Sequence, residues 1–229
     1  MPILLLIRHA TNDFVKSGRL PGRTPNIHLN EEGRRQAEAL RRLLAPQQID
    51  AIYSSPLERA LETALPLAQA RKLPVRLVPD LADVDTGALT GREIKAIAEG
   101  AETRAFWRLV QERPSEAVFP QGEGLLTMQR RVVAALERIA HAHPDVRLEA
   151  AEGEGKPKTR PQYVAVVAHA DVIKAALAHY LSMPFDVFQR LSIAPASVST
   201  LNLSTDEQGR RQIAVLNVNV VSCEQFALA

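Results

Sequence analysis

The chain has 229 residues, enough for one sizeable core. Hydrophobic residues make up 46%, charged residues 24% and aromatics only 4%, which excludes a fibre or a disordered chain and leaves the core to aliphatic side chains. A formal net charge of +2 with dispersed basic residues argues against a nucleic-acid or membrane surface, so any anion has to be recognised locally.

The lone cysteine, Cys223, excludes an internal disulfide, and no apolar run approaches the roughly 20 residues of a membrane span. A cytoplasmic protein folded as a single domain over residues 1–229 is expected. The sequon at Asn202, Leu203 and Ser204 is then a chance match.

Residues 3–7, ILLLI, are apolar without alternation, the pattern of a strand covered on both faces of a parallel sheet. The strand ends directly on Arg8 and His9. Gly18, Pro21, Gly22 and Pro25 keep the next stretch irregular until Asn30 caps a helix over 31–45, which Pro46 stops and whose Leu40, Leu43 and Leu44 face inward. A short strand around AIYSS precedes a helix with a strong start signal: Ser55 and Glu58 as a capping box, Pro56 at the first helical position. Pro66 predicts a kink or a division of that helix.

A third strand, VRLV, is followed by the loop PDLADVDTGALTG and by helices over about 92–99, 102–113 and 124–143. The last of these carries Leu126, Val132, Val133, Leu136 and Ile139 at core spacing. Residues 145–162 turn polar and contain Gly and Pro, which predicts a mobile surface excursion within the domain. YVAVVAHA is a second fully buried strand, ending on His169, with a helix behind it, and the final stretches alternate and turn as an antiparallel hairpin. Together these elements predict a three-layer α/β/α fold around a mostly parallel sheet with an antiparallel C-terminal hairpin.

Open α/β sheets bind ligands beyond the carboxyl ends of their strands. Arg8 and His9 fall there, His169 falls at the equivalent end of another strand, and Arg59 lies in the first turn of a helix that follows a third. Taken singly, each fits a surface residue; the combination points to an anion site. A helix start disfavours a cation, so Arg59 calls for an anion nearby.

With these residues in view, the chain resembles the histidine phosphatase superfamily, the phosphoglycerate mutase-like proteins. The family's opening strand and Arg-His-Gly motif correspond to LLLIRHA, with Ala10 in place of glycine. Its second motif corresponds to SSPLERALETA, its acid-bearing loop to LADVDTGALTG and its second histidine motif to VVAHADVIKAAL. HLNEEGRRQAEAL resembles the family's first helix, and all the matches come in the expected order.

The resemblance implies a phosphoglycerate mutase-like fold and a catalytic group of His9, Asp83, His169, Arg8 and Arg59. His9 would attack phosphorus to form a phosphohistidine. Arg8, Arg59 and His169 would hold the phosphoryl oxygens, since guanidinium matches paired phosphate oxygens and neighbouring cations keep an imidazole neutral. The family's acid aligns with Asp83, shorter than the usual glutamate, and Asp85 stands as a rival. Asn12 and Arg19 are carried as substrate-binding residues, although the segment after Ala10 departs from the family pattern. FPQGEGL resembles the Gly-Glu-Ser segment with Gly124 for serine, and Glu123 is expected to cap or orient the helix that follows, a structural role favoured over a catalytic one.

No metal and no cofactor are expected: His28, His141, His143 and His179 show no ligand spacing, with His141 and His143 taken as surface residues. Cys223 is a passive thiol, and Gly153 to Gly155 lacks the context of a nucleotide-binding turn. The expected partner is a small phosphorylated substrate, without nucleic acid or membrane; homo-oligomerisation is left open. The leading activity is a metal-independent phosphatase, with a phosphomutase and a non-catalytic phospho-ligand-binding module as alternatives. Residues 11–28 and 92–122 carry no signature for a particular substrate.

Overall fold

A computed structural model describes residues 2–148, 159–205, 208 and 210–223. The first strand, β1 (Ile3–Arg8), is buried from Ile3 to Ile7. An aliphatic run of this kind has no face to present to water, and each buried Leu or Ile side chain contributes about 1.5–3 kcal/mol. Helix α1 (Asp13–Lys16) is capped by Asn12, whose Oδ1 accepts the Val15 N–H at 2.9 Å. Helix α2 (Glu31–Leu43) starts, as expected, at Asn30, whose Oδ1 accepts the Gly33 N–H at 2.9 Å. At Gly33 the helix touches the segment that follows β1: a Cβ there would lie 1.9 Å from the Thr11 carbonyl oxygen, so only glycine admits the contact.

Strand β2 (Ala51–Ser54), helix α3 (Glu58–Arg71), strand β3 (Val75–Leu77), and helices α4 (Ile94–Glu99), α5 (Arg104–Glu112) and α6 (Leu125–His141) follow. A small ribbon of β4 (Val146–Arg147) and β5 (Thr159–Arg160) precedes β6 (Tyr163–Ala168), α7 (Ala170–Tyr180) and the hairpin of β7 (Val198–Thr205) and β8 (Arg211–Val220).

The main sheet has the order β3-β2-β6-β1-β7-β8. Its first four members run parallel and the hairpin antiparallel, giving the three-layer fold expected from the alternation of elements. Successive side chains of β1 enter opposite layers: Leu4 and Leu6 pack with Met128, Leu136 and Leu177 of α6 and α7, while Ile3, Leu5 and Ile7 pack with Leu40 and Leu67 of α2 and α3. Arg8 pairs with Ala168 in the parallel ladder, so the chain leaves both central strands at the same height, at His9 and His169.

The helix after β2 departs from expectation. It begins at Glu58 with Leu57 as the cap residue, whose side chain has no acceptor to offer, while the Ser55 hydroxyl accepts the Leu57 N–H at 3.3 Å and meets His169 instead of capping the helix. Pro66 does not divide α3: Ala60, Thr63, Ala64, Leu67 and Ala68 are all buried, so packing holds both halves as one helix. On α6 the deepest positions include Leu125 and Met128, whereas Leu126 and Val133 are only half-buried. Of the excursion over 145–162, residues 149–158, including Gly153 to Gly155, lie outside the described residues, and its flanks pair as β4 with β5. Residues 206, 207 and 209 of the hairpin turn also lie outside them. Among the described residues, no helix is long and apolar enough to cross a membrane.

Candidate active site

The carboxyl ends of β1 and β6 bring the rings of His9 and His169 to 5.1 Å between centroids, edge to face at 60°. Both rings are almost wholly buried, at 2% and 1% exposure. His9 Nδ1 donates to the Ala10 carbonyl at 2.8 Å, which leaves Nε2 unprotonated in the neutral ring. Ala10 is held in turn through its N–H, which donates to Thr63 Oγ1 at 2.9 Å, and Thr63 donates to the Arg59 carbonyl at 2.7 Å. Burial first, then the charges of His169, Arg8 and Arg59, push the His9 pKa well below its ordinary value. The imidazole is therefore neutral at neutral pH.

His169 Nε2 lies 2.8 Å from Ser55 Oγ, which already accepts the Leu57 N–H at 3.3 Å. A Ser55 hydroxyl that donates to Nε2 places the His169 proton on Nδ1. Nδ1 sits 3.4 Å from Asp83 Oδ2 and makes no hydrogen bond. Burial, then Arg59 and Arg8, depresses this histidine's pKa as well.

Arg59 is fully buried. One of its nitrogens donates to the Gly22 carbonyl at 2.7 Å and to Asp83 Oδ2 at 3.2 Å, while Nε and the other terminal nitrogen have no partner. Arg8 donates to the Ile193 carbonyl at 2.6 Å and its Nε is likewise buried without a partner. Buried guanidinium N–H groups are costly to leave unpaired. Several of them around one cleft, with His169 Nδ1 beside them, make a cage of donors for an anion.

The two candidate acids separate clearly in space. Asp83 faces Arg59 and His169, with its other oxygen accepting the Val84 N–H at 3.0 Å. Burial raises its pKa despite the opposing pull of Arg59. Asp85 instead closes a turn by accepting the Gly87 N–H at 2.9 Å. The backbone under Asp83 is clamped by Arg131, which donates to the carbonyls of Asp80 and Ala82 at 2.7 Å and of Asp83 at 3.0 Å. Glu123 grips Arg131 at 2.7 Å and Arg23 at 2.9 Å, and Arg23 also donates to the Asp83 carbonyl at 3.0 Å. Glu123 does not cap the helix that follows it, which starts at Gly124 without a side-chain cap bond; its carboxylate holds the two arginines that clamp the acid loop.

The remaining predicted residues are placed differently. Asn12 is buried and its Oδ1 is spent on capping α1, while its amide nitrogen has no partner. Arg19 lines the mouth of the cleft but is held by Glu93 at 2.8 Å. His143 is not a surface residue: it is 6% exposed, packed between the Tyr53 hydroxyl at 3.0 Å and Gln162 at 2.9 Å, which satisfy both ring nitrogens away from water. His28 pairs with Glu62 at the surface, which raises its pKa. No cluster of three or more His, Cys, Asp or Glu suited to a metal occurs among the described residues.

Ser55, Thr63, Arg23 and Arg131 were not singled out by sequence reasoning for this site. Ser55 and Thr63 lie within the stretch SSPLERALETA but at spacings that name no partner, and Arg131 is one of several arginines along its helix.

Histidines and arginines converging above the carboxyl edge of a parallel sheet define a class of α/β enzymes that handle phosphate esters. The sequence profile of the histidine phosphatase superfamily, branch 1, matches residues 4–218, and the chain belongs to that superfamily. It is 30% identical over 215 residues to phosphoserine phosphatase 1 of Hydrogenobacter thermophilus, covering 94% of this chain and 92% of that protein. It is 28% identical to the 2,3-bisphosphoglycerate-dependent phosphoglycerate mutase of Thermoplasma acidophilum, covering 89% of this chain and 88% of the mutase. Among solved structures, a mycobacterial glucosyl-3-phosphoglycerate phosphatase in complex with VO3 superposes with a TM-score of 0.73 at 26% identity, covering 95% of this chain and all of that one. The relatives are phosphatases and a mutase, and the chain is an enzyme of that general kind.

Proposed function

We propose that the protein is a metal-independent phosphomonoesterase that hydrolyses a small phosphorylated metabolite through a phosphohistidine on His9. The observation that carries this reading is the bond from His9 Nδ1 to the Ala10 carbonyl, which leaves a neutral Nε2 lone pair among unpartnered N–H groups. Nε2 attacks phosphorus in line with the ester oxygen: the N–P bond forms, the P–O bond breaks, and the alkoxide takes a proton from Asp83. Water then loses a proton to Asp83 and displaces the phosphoryl group from Nε2, regenerating the free imidazole and releasing inorganic phosphate. Arg8, Arg59 and His169 Nδ1–H stabilise the equatorial oxygens in both transfers.

Hydrolysis is favoured over return of the phosphoryl group because only two short helices, α4 and α5, and one 3-10 turn at Pro114–Glu116 stand between the acid loop and α6, little cover for a phosphoenzyme against water. Incubating the enzyme with phosphorylated metabolites, while following free phosphate, isomerised product and acid-labile protein-bound phosphate, tests the reading. Stoichiometric free phosphate with a transient acid-labile adduct is expected. Isomer in excess of phosphate would make it a mutase, and binding without any adduct would make it a ligand-binding module.

The pKa directions set the pH profile. His9 acts when neutral, so activity is lost on acidification only well below the ordinary histidine value of 6.5. Asp83 acts when protonated; burial raises its pKa and a bound phosphate dianion raises it further, so kcat on alkyl phosphates declines as pH rises through that raised value. An aryl phosphate, whose leaving group needs no proton, is expected to lack this alkaline decline. An acid limb in kcat/KM above the substrate's own second phosphate ionisation, about 6, would contradict the assignment of His9.

A further inference from the structure

Two consecutive residues join the phosphate cage to the proton donor. The Gly22 carbonyl accepts from Arg59 at 2.7 Å; the next side chain, Arg23, donates through Nε to the Asp83 carbonyl at 3.0 Å and through a terminal nitrogen to Glu123 at 2.9 Å. Asp83 Oδ2 in turn meets Arg59 at 3.2 Å, so Arg59, Gly22, Arg23 and Asp83 close a ring of contacts. Gly22 is pressed against the acid loop within that ring. Its φ is +49°, and a Cβ there would lie 2.4 Å from Thr86 Oγ1.

The direct contact between Arg59 and Asp83 is strong only while Asp83 is a carboxylate. Proton donation requires the neutral acid, with Arg59 engaged by phosphoryl oxygens, and both changes weaken that contact. Hydrogen bonds to the Asp83 carbonyl do not depend on the protonation of its side chain. At proton transfer the acid is therefore held through its backbone, by Arg131 and Arg23. Arg131 also binds the carbonyls of Asp80 and Ala82 and fixes the loop as a whole. Arg23 is the hold that ties the acid to the residue gripped by Arg59. Its side chain is 41% exposed, and it lies outside the lining of the cleft, to which Pro21, Gly22, Asp83 and Thr86 belong.

On the phosphatase reading above, we propose that Arg23 is a positioning residue for leaving-group protonation: without touching substrate, it sets the reach from Asp83 to the ester oxygen of a phosphate seated on Arg59. The guanidinium fork spans the Asp83 carbonyl and the Glu123 carboxylate at once, which a lysine ammonium, a point charge, does less well.

The test measures kcat/KM, which reports transfer to His9 and departure of the alcohol, for two esters of similar size: benzyl phosphate, whose alkoxide needs a proton, and 4-nitrophenyl phosphate, whose phenolate does not. Arg23→Ala is expected to lower kcat/KM about tenfold on the benzyl ester, within the loss of up to about 10²-fold that a 1 Å misplacement brings, and about twofold or less on the nitrophenyl ester. Arg23→Lys should recover part of the loss. The inhibition constant of inorganic phosphate should stay within about twofold, because the cage keeps its donors. In an Asp83→Asn background, Arg23→Ala should lower benzyl phosphate turnover by no more than about twofold further, since placing a group that cannot donate has no effect on the transfer. Circular dichroism checks the fold of each variant.

Equal losses on the two esters, full additivity with Asp83→Asn, a weakening of phosphate inhibition as large as the kinetic loss, or a benzyl phosphate rate unmoved by Arg23→Ala overturns the positioning role while leaving the phosphatase reading intact. Wild-type release from the nitrophenyl ester alone also overturns it, since no acid is then at work. Wild-type enzyme that releases phosphate from neither ester overturns the phosphatase reading instead.

Discussion

Replacing His9 by alanine is expected to lower phosphate release by about 10⁴-fold or more, since loss of a covalent nucleophile removes a whole reaction route and not one contact to the transition state. The acid-labile phosphoenzyme should vanish with it. The fold is expected to survive, since the His9 ring makes one hydrogen bond, to the adjacent Ala10 carbonyl. Circular dichroism and thermal melting check that point alongside the kinetics. Turnover within about tenfold of wild type in a folded variant would take His9 out of the nucleophile's role.

Asp83→Asn is expected to cost about 10²–10⁴ in kcat on alkyl phosphates, the range for losing a general acid. On an aryl phosphate with a weakly basic leaving group the loss should stay below about tenfold, because that oxygen departs without a proton. The amide keeps an oxygen for the Val84 N–H and fills the same volume, so the contrast between substrates isolates proton donation from shape. Equal losses on both substrates would remove Asp83 from that role. Asp85 is a weak substitute, since its carboxylate already closes the turn to Gly87.

These two residues depend on scaffolding of different kinds. His9 is oriented by a short chain of bonds from its own neighbour, Ala10, through Thr63 to the first turns of α3. Asp83 lies in a loop without regular structure, and its position comes from Arg131 and Arg23, which donate to the loop's carbonyl groups and are themselves held by the Glu123 carboxylate. An irregular backbone needs such partners, because its polar groups have no ladder of their own.

Much of the architecture was legible because it is written locally. Continuous apolar runs made β1 and β6 buried strands, and covalent adjacency put His9 and His169 at their carboxyl ends whatever the remainder of the chain did. Helix α2 announced its start through Asn30, since a cap is a contact across three residues. The capping box at Ser55 misled for the same reason: the local signal was present, but the helix starts two residues later, and the Ser55 hydroxyl meets a histidine 114 residues away.

The order of the sheet, with β6 inserted between β1 and β2, cannot be read from periodicity, which reports which face of a strand is buried and not which strand lies beside it. The facing of Asp83 and not Asp85 toward Arg59, the meeting of His169 with Ser55 and the burial of His143 all belong to that second category. Hydrophobic pattern and caps act over a turn or two of chain, so sequence alone determined the elements and the residues at their ends. Hydrogen bonds and charge pairing act over about 3 Å in space between segments far apart in sequence, so only tertiary packing decided which of those residues meet and in what state.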